Sequence, residues 1–175
     1  MAGHSKWAKL KHKKGTSDAK KSALFSKLVR FIAVEARKAK GDRSAPNLRA
    51  AVDKARAANM PSENIDRAIE KASQSGELEP VTYEAYGPGG VALVIEGYTD
   101  NRNRTSQEIK HILGEYGSTL ANPGAALWAF QKNPEGKLEP LSPLELSGED
   151  MQKLADLTDT LEEHDDVNEI YTNAE

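Results

Sequence analysis

Lysines are the residues in this chain whose type and spacing most clearly suit a chemical task. Lys6, Lys9, Lys11, Lys13 and Lys14 crowd one short stretch, with Trp7 and His12 among them. From Met1 to Lys21 there are seven lysines against one acid, Asp18. Ammonium groups at this density neutralise phosphate; they do not make or break covalent bonds. The stretch has almost no apolar periodicity before Leu24, so it cannot build a core of its own. It reads as an arm that completes its folding on a polyanion. A solvated tail is the plainer meaning of such a run, but the basic residues that follow are also patterned.

Other constellations carry less. Glu108, His111 and Glu115 share one helical face and offer three potential metal ligands, yet residues at such spacing usually form a solvated polar face. His164-Asp165-Asp166 reads as a polar helix end. There is no HExxH, CxxC or Walker pattern. The absence of cysteine excludes disulfides, thiolate metal sites and thiol nucleophiles. Gly87, Gly89 and Gly90 form a glycine-rich turn of the kind that cradles phosphate. It lies between two strands with no helix directly after it, so it reads as a hairpin turn. The expectation is therefore no catalytic residue, no metal and no cofactor.

The elements that must position the cations follow from pattern. The chain has 175 residues, 38% apolar and 29% charged, and no apolar run approaches the roughly 18 residues of a membrane span. The basic N-terminus lacks the apolar run of a secretory signal, so a cytoplasmic protein with no membrane partner is expected. The net charge of −3 conceals a division. Met1 to Gly76 has 18 Lys and Arg against 7 Asp and Glu, and Glu77 to Glu175 has 6 against 20. The spacing predicts a basic helical domain at 1–76, a linker at 77–80 and an acidic domain at 81–175.

In the basic half, a helix is predicted from Asp18 to Lys40, with Phe25, Leu28, Val29, Ile32 and Ala36 on one stripe. Lys20, Lys21 and Lys27 continue the arm's charge onto it, and Arg30, Arg37 and Lys38 lie away from the stripe, open to a polyanion. Helices at 47–58 and from Pro61, stopped by Gly76, complete a three-helix bundle. In the acidic half, strands are predicted at 81–86, 91–98, 125–131, 137–141 and 167–172. Helices are predicted at 104–116 and from Ser147. The β-α-β-β-α-β order after the first strand fits a ferredoxin-like α+β sandwich. Asp100, Asn101 and Asn103 are capping candidates at the helix before Gly117. Arg102 and Arg104 in its first turn oppose the helix dipole by roughly 0.3–1 kcal/mol each. A phosphate bound there would reverse the effect; arginines tied to neighbouring acids would explain them as well.

Four segments carry a resemblance. MAGHSKWAKLKHKKGTSDAKK, DKARAANMPSENIDRAIEK, YGPGGVALVIEGYTDNRNRT and EEHDDVNEIYTNAE are similar to the YebC/PmpR family in composition and order. The resemblance covers nearly the whole chain. It implies a helical N-terminal domain followed by α+β domains, and no catalytic residues. Members are described as probable transcriptional regulators that bind DNA. Others, including mitochondrial translational activator relatives, are described as ribosome-associated translation factors, some easing stalls at proline runs. The arm lysines and the DNRNRT arginines fall on family positions. In one respect the chain departs. Typical members carry an inserted domain before the last strand–helix–strand run, whereas here Trp128-Ala129-Phe130-Gln131 reaches Pro140 through a short turn.

The leading expectation is a non-enzymatic nucleic-acid-binding regulator of gene expression. DNA and ribosomal RNA are both open as partners, because lysines contact phosphate on either. Trp7 stacking on an unpaired base would favour RNA, and packing on the first helix is an equal alternative. A ribosome-associated translation factor and a protein-binding adaptor are the rival readings. The acidic half is expected to face a protein partner or to orient the basic half by repulsion.

Overall fold

The computed structural model describes residues 18–72 and 78–175, without the side chains of residues 19 and 20. The contacts divide into two units. One holds residues 80–97 and 101–175, and the other runs to residue 79 and adds 98–100.

The helical unit consists of α1 (Asp18–Lys38), α2 (Pro46–Ala57) and α3 (Ser62–Lys71). α1 closes through two left-handed residues, Lys40 (φ 50°) and Gly41 (φ 79°), with the Gly41 N–H donating to the Ala36 carbonyl at 2.8 Å. Pro46 occupies the first turn of α2, where its missing N–H removes nothing. Pro61 was expected inside α3. Instead it lies just before it, because its ψ of 139° is extended and the helix starts at Ser62. Leu28, Ile32, Leu48, Met60 and Ile65 are buried together with Ala36, Ala51, Ala55, Ala68 and Ala72. Half of this core is alanine, so the helices approach closely and the core is thin. The expected stop at Gly76 lies outside the described residues.

The second unit is an α+β sandwich. Its sheet has the order β3-β1-β2-β6, from β1 (Glu79–Tyr86), β2 (Ala92–Thr99), β3 (Thr119–Ala121) and β6 (Val167–Thr172). α4 (Arg102–Glu115) and α5 (Gly148–Glu163) cover one face. Ile109, Leu113, Leu154, Leu157 and Leu161 pack there on Val91, Leu93 and Ile95. On the opposite face, Ala92 and Val94 meet Ala126, Ala129, Phe130 and Leu138. β2 is thus buried on both sides, which is why Val91–Ile95 is uninterruptedly apolar rather than alternating.

The α+β class, the N-terminal three-helix bundle and the sandwich layering agree with the sequence reading. The strand order does not follow from β-α-β-β-α-β. The strand expected at 125–131 is replaced by a turn, a 3₁₀ segment (Leu127–Ala129) and a short strand, β4 (Phe130–Lys132). β4 pairs only with β5 (Leu138–Pro140) in a separate two-stranded sheet. The physical cause is Glu84. Its carboxylate accepts the backbone N–H groups of Gly124, Ala126 and Leu127 at 2.6, 2.7 and 2.9 Å, so those amides cannot join a ladder. The main sheet takes Thr119–Ala121 instead, antiparallel to Glu84–Tyr86. Glu79 and Pro80, expected in the linker, begin β1. Proline is tolerated because the pairing with β3 starts only at Glu84.

Helix starts follow capping chemistry. Asn101 Oδ1 accepts the Arg104 N–H at 3.1 Å, which starts α4 two residues earlier than expected and leaves Asn103 inside the helix rather than at its cap. Ser147 Oγ accepts the Asp150 N–H at 3.1 Å at the start of α5. Ser147→Ala is expected to lower stability by about 1 kcal/mol. Urea denaturation checks it, and Ser147→Asp should recover most of the loss.

Candidate nucleic-acid interface

The arm residues Lys6, Trp7, Lys9, Lys11, His12, Lys13 and Lys14 lie outside the described residues. Lys20 belongs to α1, and its side chain is not described. Lys21 is exposed, with its ammonium 5.9 Å from the centre of the Phe25 ring. Lys27 and Arg30 are half-buried farther along the same helix.

Arg37 and Lys38, farther along α1, make contacts within the bundle. The Arg37 guanidinium donates through Nε and Nη2 to the Ala72 carbonyl, at 3.1 and 2.7 Å. It therefore satisfies a carbonyl that the end of α3 leaves without a helical partner. Lys38 Nζ lies 2.8 Å from Glu35 Oε1. Glu35 is buried, and its Oε2 has no hydrogen-bond partner among the described residues. Both cations serve the bundle.

The helical unit gathers other cations instead. A groove of about 480 Å³ runs between α1 and α3. Val29, Arg30 and Ala33 from α1 and Asn64, Arg67, Ala68 and Lys71 from α3 are among the residues that line it. Arg67 and Lys71 were not singled out from sequence. The signal was present: Asn64, Arg67, Ala68 and Lys71 follow helical spacing and share one face of α3. A smaller groove between α2 and α3 also has arginines; Arg43 Nη1 pairs there with Asp66 at 2.6 Å, and Arg56 lies 3.6 Å from Asp53.

At the start of α4, the acids expected as the alternative to phosphate are present. Arg104 Nη2 lies 2.7 Å from Asp166 Oδ2, and Nε is 3.6 Å from Glu108. Thr105 Oγ1 donates to the same Asp166 oxygen at 2.6 Å, and Asp166 is buried. An internal carboxylate therefore supplies the negative charge that the helix end favours. Arg102 Nη2 lies 3.4 Å from the Pro80 carbonyl.

Glu108 was read beside His111 and Glu115, but the fold groups it with His164 and Asp166. His164 Nδ1 accepts the Asp166 N–H at 3.1 Å. That fixes the proton on Nε2, which donates to Glu108 at 3.0 Å. These groups satisfy one another and bind α4 to the α5–β6 turn. The glycine turn is likewise spent internally. Gly87 N–H donates to Val91 O and Gly90 N–H to Gly87 O, at 2.8 and 3.0 Å. A Cβ on Gly89 would sit 2.7 Å from Leu146. Packing explains this turn without a phosphate.

No helix among the described residues is long and apolar enough to cross a membrane. A family model described as the TACO1/YebC protein N-terminal domain matches residues 5–75. A second, the TACO1/YebC second and third domain, matches 78–136 and 132–174. A protein of Thermotoga maritima named probable transcriptional regulatory protein is 37% identical over 240 aligned positions, covering 100% of this chain and 94% of the relative. With 175 residues here, at least 65 positions of that alignment have no counterpart in this chain. A relative of the same name from Petrotoga mobilis is 50% identical over 136 residues, 75% of this chain and 54% of its own length. The chain thus matches about half the length of that relative. The crystal structure of a conserved hypothetical protein from Aquifex aeolicus superposes with a TM-score of 0.80 at 30% identity, over 90% of this chain and 91% of that one.

Proposed function

The chain belongs to the TACO1/YebC family, and from that premise we propose that it regulates gene expression by binding nucleic acid, without catalysis. The relatives' name, probable transcriptional regulatory protein, supports the regulatory part. The observation that carries the binding part is the charge division. Residues 1–76 have a balance of +11 and residues 77–175 one of −14. A polyanion is attracted by the first and repelled by the second, so binding is directed to the arm and the helical unit. The chemistry is phosphate neutralisation by Lys6, Lys9, Lys11, Lys13 and Lys14, with Lys20, Lys21, Lys27 and Arg30 on α1 continuing the track.

Association between the full chain and labelled duplex DNA, measured across salt concentrations, tests this. The logarithm of the binding constant should fall linearly with the logarithm of salt, at about −0.9 for each phosphate neutralised. Removing Met1–Lys14 should weaken binding to every sequence alike and flatten the slope. Undetectable binding at low salt, to duplexes and single strands alike, would defeat the proposal. Retained affinity after the deletion would move the contact away from the arm.

A further inference from the structure

We infer that a second copy of this chain docks on the apolar corner at the root of the β4–β5 hairpin, so that two copies pair through the same surface. The inference stands apart from nucleic-acid binding, since it concerns the protein alone. Among the described residues, four large apolar side chains are exposed: Leu24, Leu127, Trp128 and Leu141. Three of them lie in this corner. Leu127 and Trp128 belong to the 3₁₀ segment that leads into β4. Leu141 follows β5, and its N–H donates to the Ala129 carbonyl at 2.7 Å, which sets its backbone next to that segment. Pro140, opposite Phe130 in the ladder, is exposed as well. Single exposed apolar residues are ordinary, but a cluster at one end of a small sheet marks an interaction surface.

Trp128 is 59% exposed and yet held in place. Its Nε1 donates to Tyr86 Oη at 3.1 Å, and Tyr86 Oη donates to the Ala125 carbonyl. An indole fixed this way loses little freedom on docking, and tryptophan is enriched among the anchors of protein interfaces. Two observations identify the occupant. The first is charge. Residues 77–175 have a balance of −14, yet residues 118–144 contain only Lys132, Lys137, Glu135 and Glu139 as charged groups, a balance of zero. Two copies can meet there without the like-charge repulsion that the rest of the unit would bring. The acidic surroundings also disfavour a polyanion. A two-fold pairing sets the patch against itself, so apolar side chains meet apolar side chains. The second observation is the family match, whose two segments meet at 132–136, inside this hairpin. The Thermotoga maritima relative has at least 65 positions with no counterpart here. Chain added at the hairpin would emerge beside Leu127, Trp128 and Leu141 and could cover them from within one molecule. This chain lacks it, and a second copy supplies the cover instead. The patch is small, so the pairing falls at the weak end of specific association.

Sedimentation velocity of the full chain, free of nucleic acid and taken from about 1 µM to about 1 mM, tests the pairing. The expected result is a reversible shift from monomer to dimer as concentration rises. Trp128→Ala should weaken the dimer about tenfold or more, the scale of losing a central anchor. Leu141→Ser should weaken it too, and it keeps the test decisive if loss of the Trp128–Tyr86 hydrogen bond disturbs the hairpin. Leu24→Ser, on α1, should leave the dimer within about twofold of wild type, as surface changes outside an interface do. Circular dichroism would verify that each variant is folded. Raising the salt concentration should not weaken the pairing, because salt screens the repulsion between two acidic units and not an apolar contact. In a Trp7→Phe background, Trp128 emission should move to shorter wavelength as the dimer forms.

A chain that stays monomeric throughout would overturn the inference and leave the corner to a different protein. Dimerisation that weakens with salt and ignores both Trp128→Ala and Leu141→Ser would overturn it as well, and would point to pairing of a basic half with an acidic one. A shift of Trp128 emission on adding single-stranded RNA, at a concentration where the protein is monomeric, would identify a nucleic-acid contact in this corner instead.

Discussion

Glu84→Ala is expected to destabilise the α+β unit by roughly 3–5 kcal/mol, the scale of losing three hydrogen bonds to one charged acceptor. The carboxylate is buried and accepts three backbone N–H groups from residues 124–127, all within 2.9 Å. Alanine leaves those amides without their acceptor, and the Ala126 N–H is buried. Glu84→Gln should cost less, because one oxygen remains, but its NH₂ then faces an N–H group. Burial alone would raise the Glu84 pKa; the three donated hydrogen bonds outweigh it and hold the value below that of an ordinary glutamate. A depressed folded pKa adds stability at pH values above the unfolded pKa of about 4.3, and that stability is lost as pH falls through the folded value. Wild type should therefore lose stability on acidification more steeply than Glu84→Gln. Urea unfolding followed by Trp128 fluorescence in a Trp7→Phe background reads both effects, since Trp128 Nε1 donates to Tyr86 Oη at 3.1 Å beside the same turn. A Glu84→Ala protein with wild-type stability would show that water takes over the amides.

Gly97→Ala should cost a similar amount, roughly 3–5 kcal/mol, by a different route. A Cβ at this position would lie 1.9 Å from the Asp166 carbonyl oxygen, and backbone cannot rotate away as a side chain can. Gly97 faces Val167 at the point where the register of β2 and β6 shifts. Relief requires β6 to move away from β2, and Asp166 to move with it. That would also strain the contacts of Asp166 with Arg104 and Thr105, and of its N–H with His164. The expected result is a lower unfolding midpoint and faster amide exchange in β6 at residues 167–169. Exchange rates unchanged from wild type would show that the strands accommodate the methyl group.

What could be read from the sequence depended on how local the cause was. The stripe at Leu28, Ile32 and Ala36, the stripe at Met151, Leu154, Leu157 and Leu161, and the caps at Asn101 and Ser147 are matters of neighbouring residues. They appear in the structure where the spacing puts them. The fate of residues 125–131 was not local. It depends on a carboxylate some 40 residues earlier in the chain that removes three amides from the strand ladder. Arg104 is a similar case, since Asp166 is 62 residues distant. For Arg37, pattern shows which side of a helix a cation occupies, not that a neighbouring helix ends beside it. Arg67 and Lys71 went unnoticed because two cations on a short helix are ordinary. They become notable only when Arg30 is seen across the groove.

The β4–β5 turn has a consequence for the architecture as a whole. Asn133 N–H donates to Lys137 O at 2.9 Å, and Asn133 Oδ1 accepts from Glu135 and Lys137, so the two strands leave and return side by side. The two segments of the second-and-third-domain match meet at residues 132–136. Adjacent, fixed ends are what a folded insert needs, because closing a longer loop there adds only about 0.6 kcal/mol per doubling of length. The hairpin is thus an interchangeable socket. A cassette with neighbouring termini can be exchanged at it while the sheet, the two covering helices and the Glu84 clamp stay unaltered. Evolution and protein engineering can use the same port to give this scaffold a new attachment without redesigning its core.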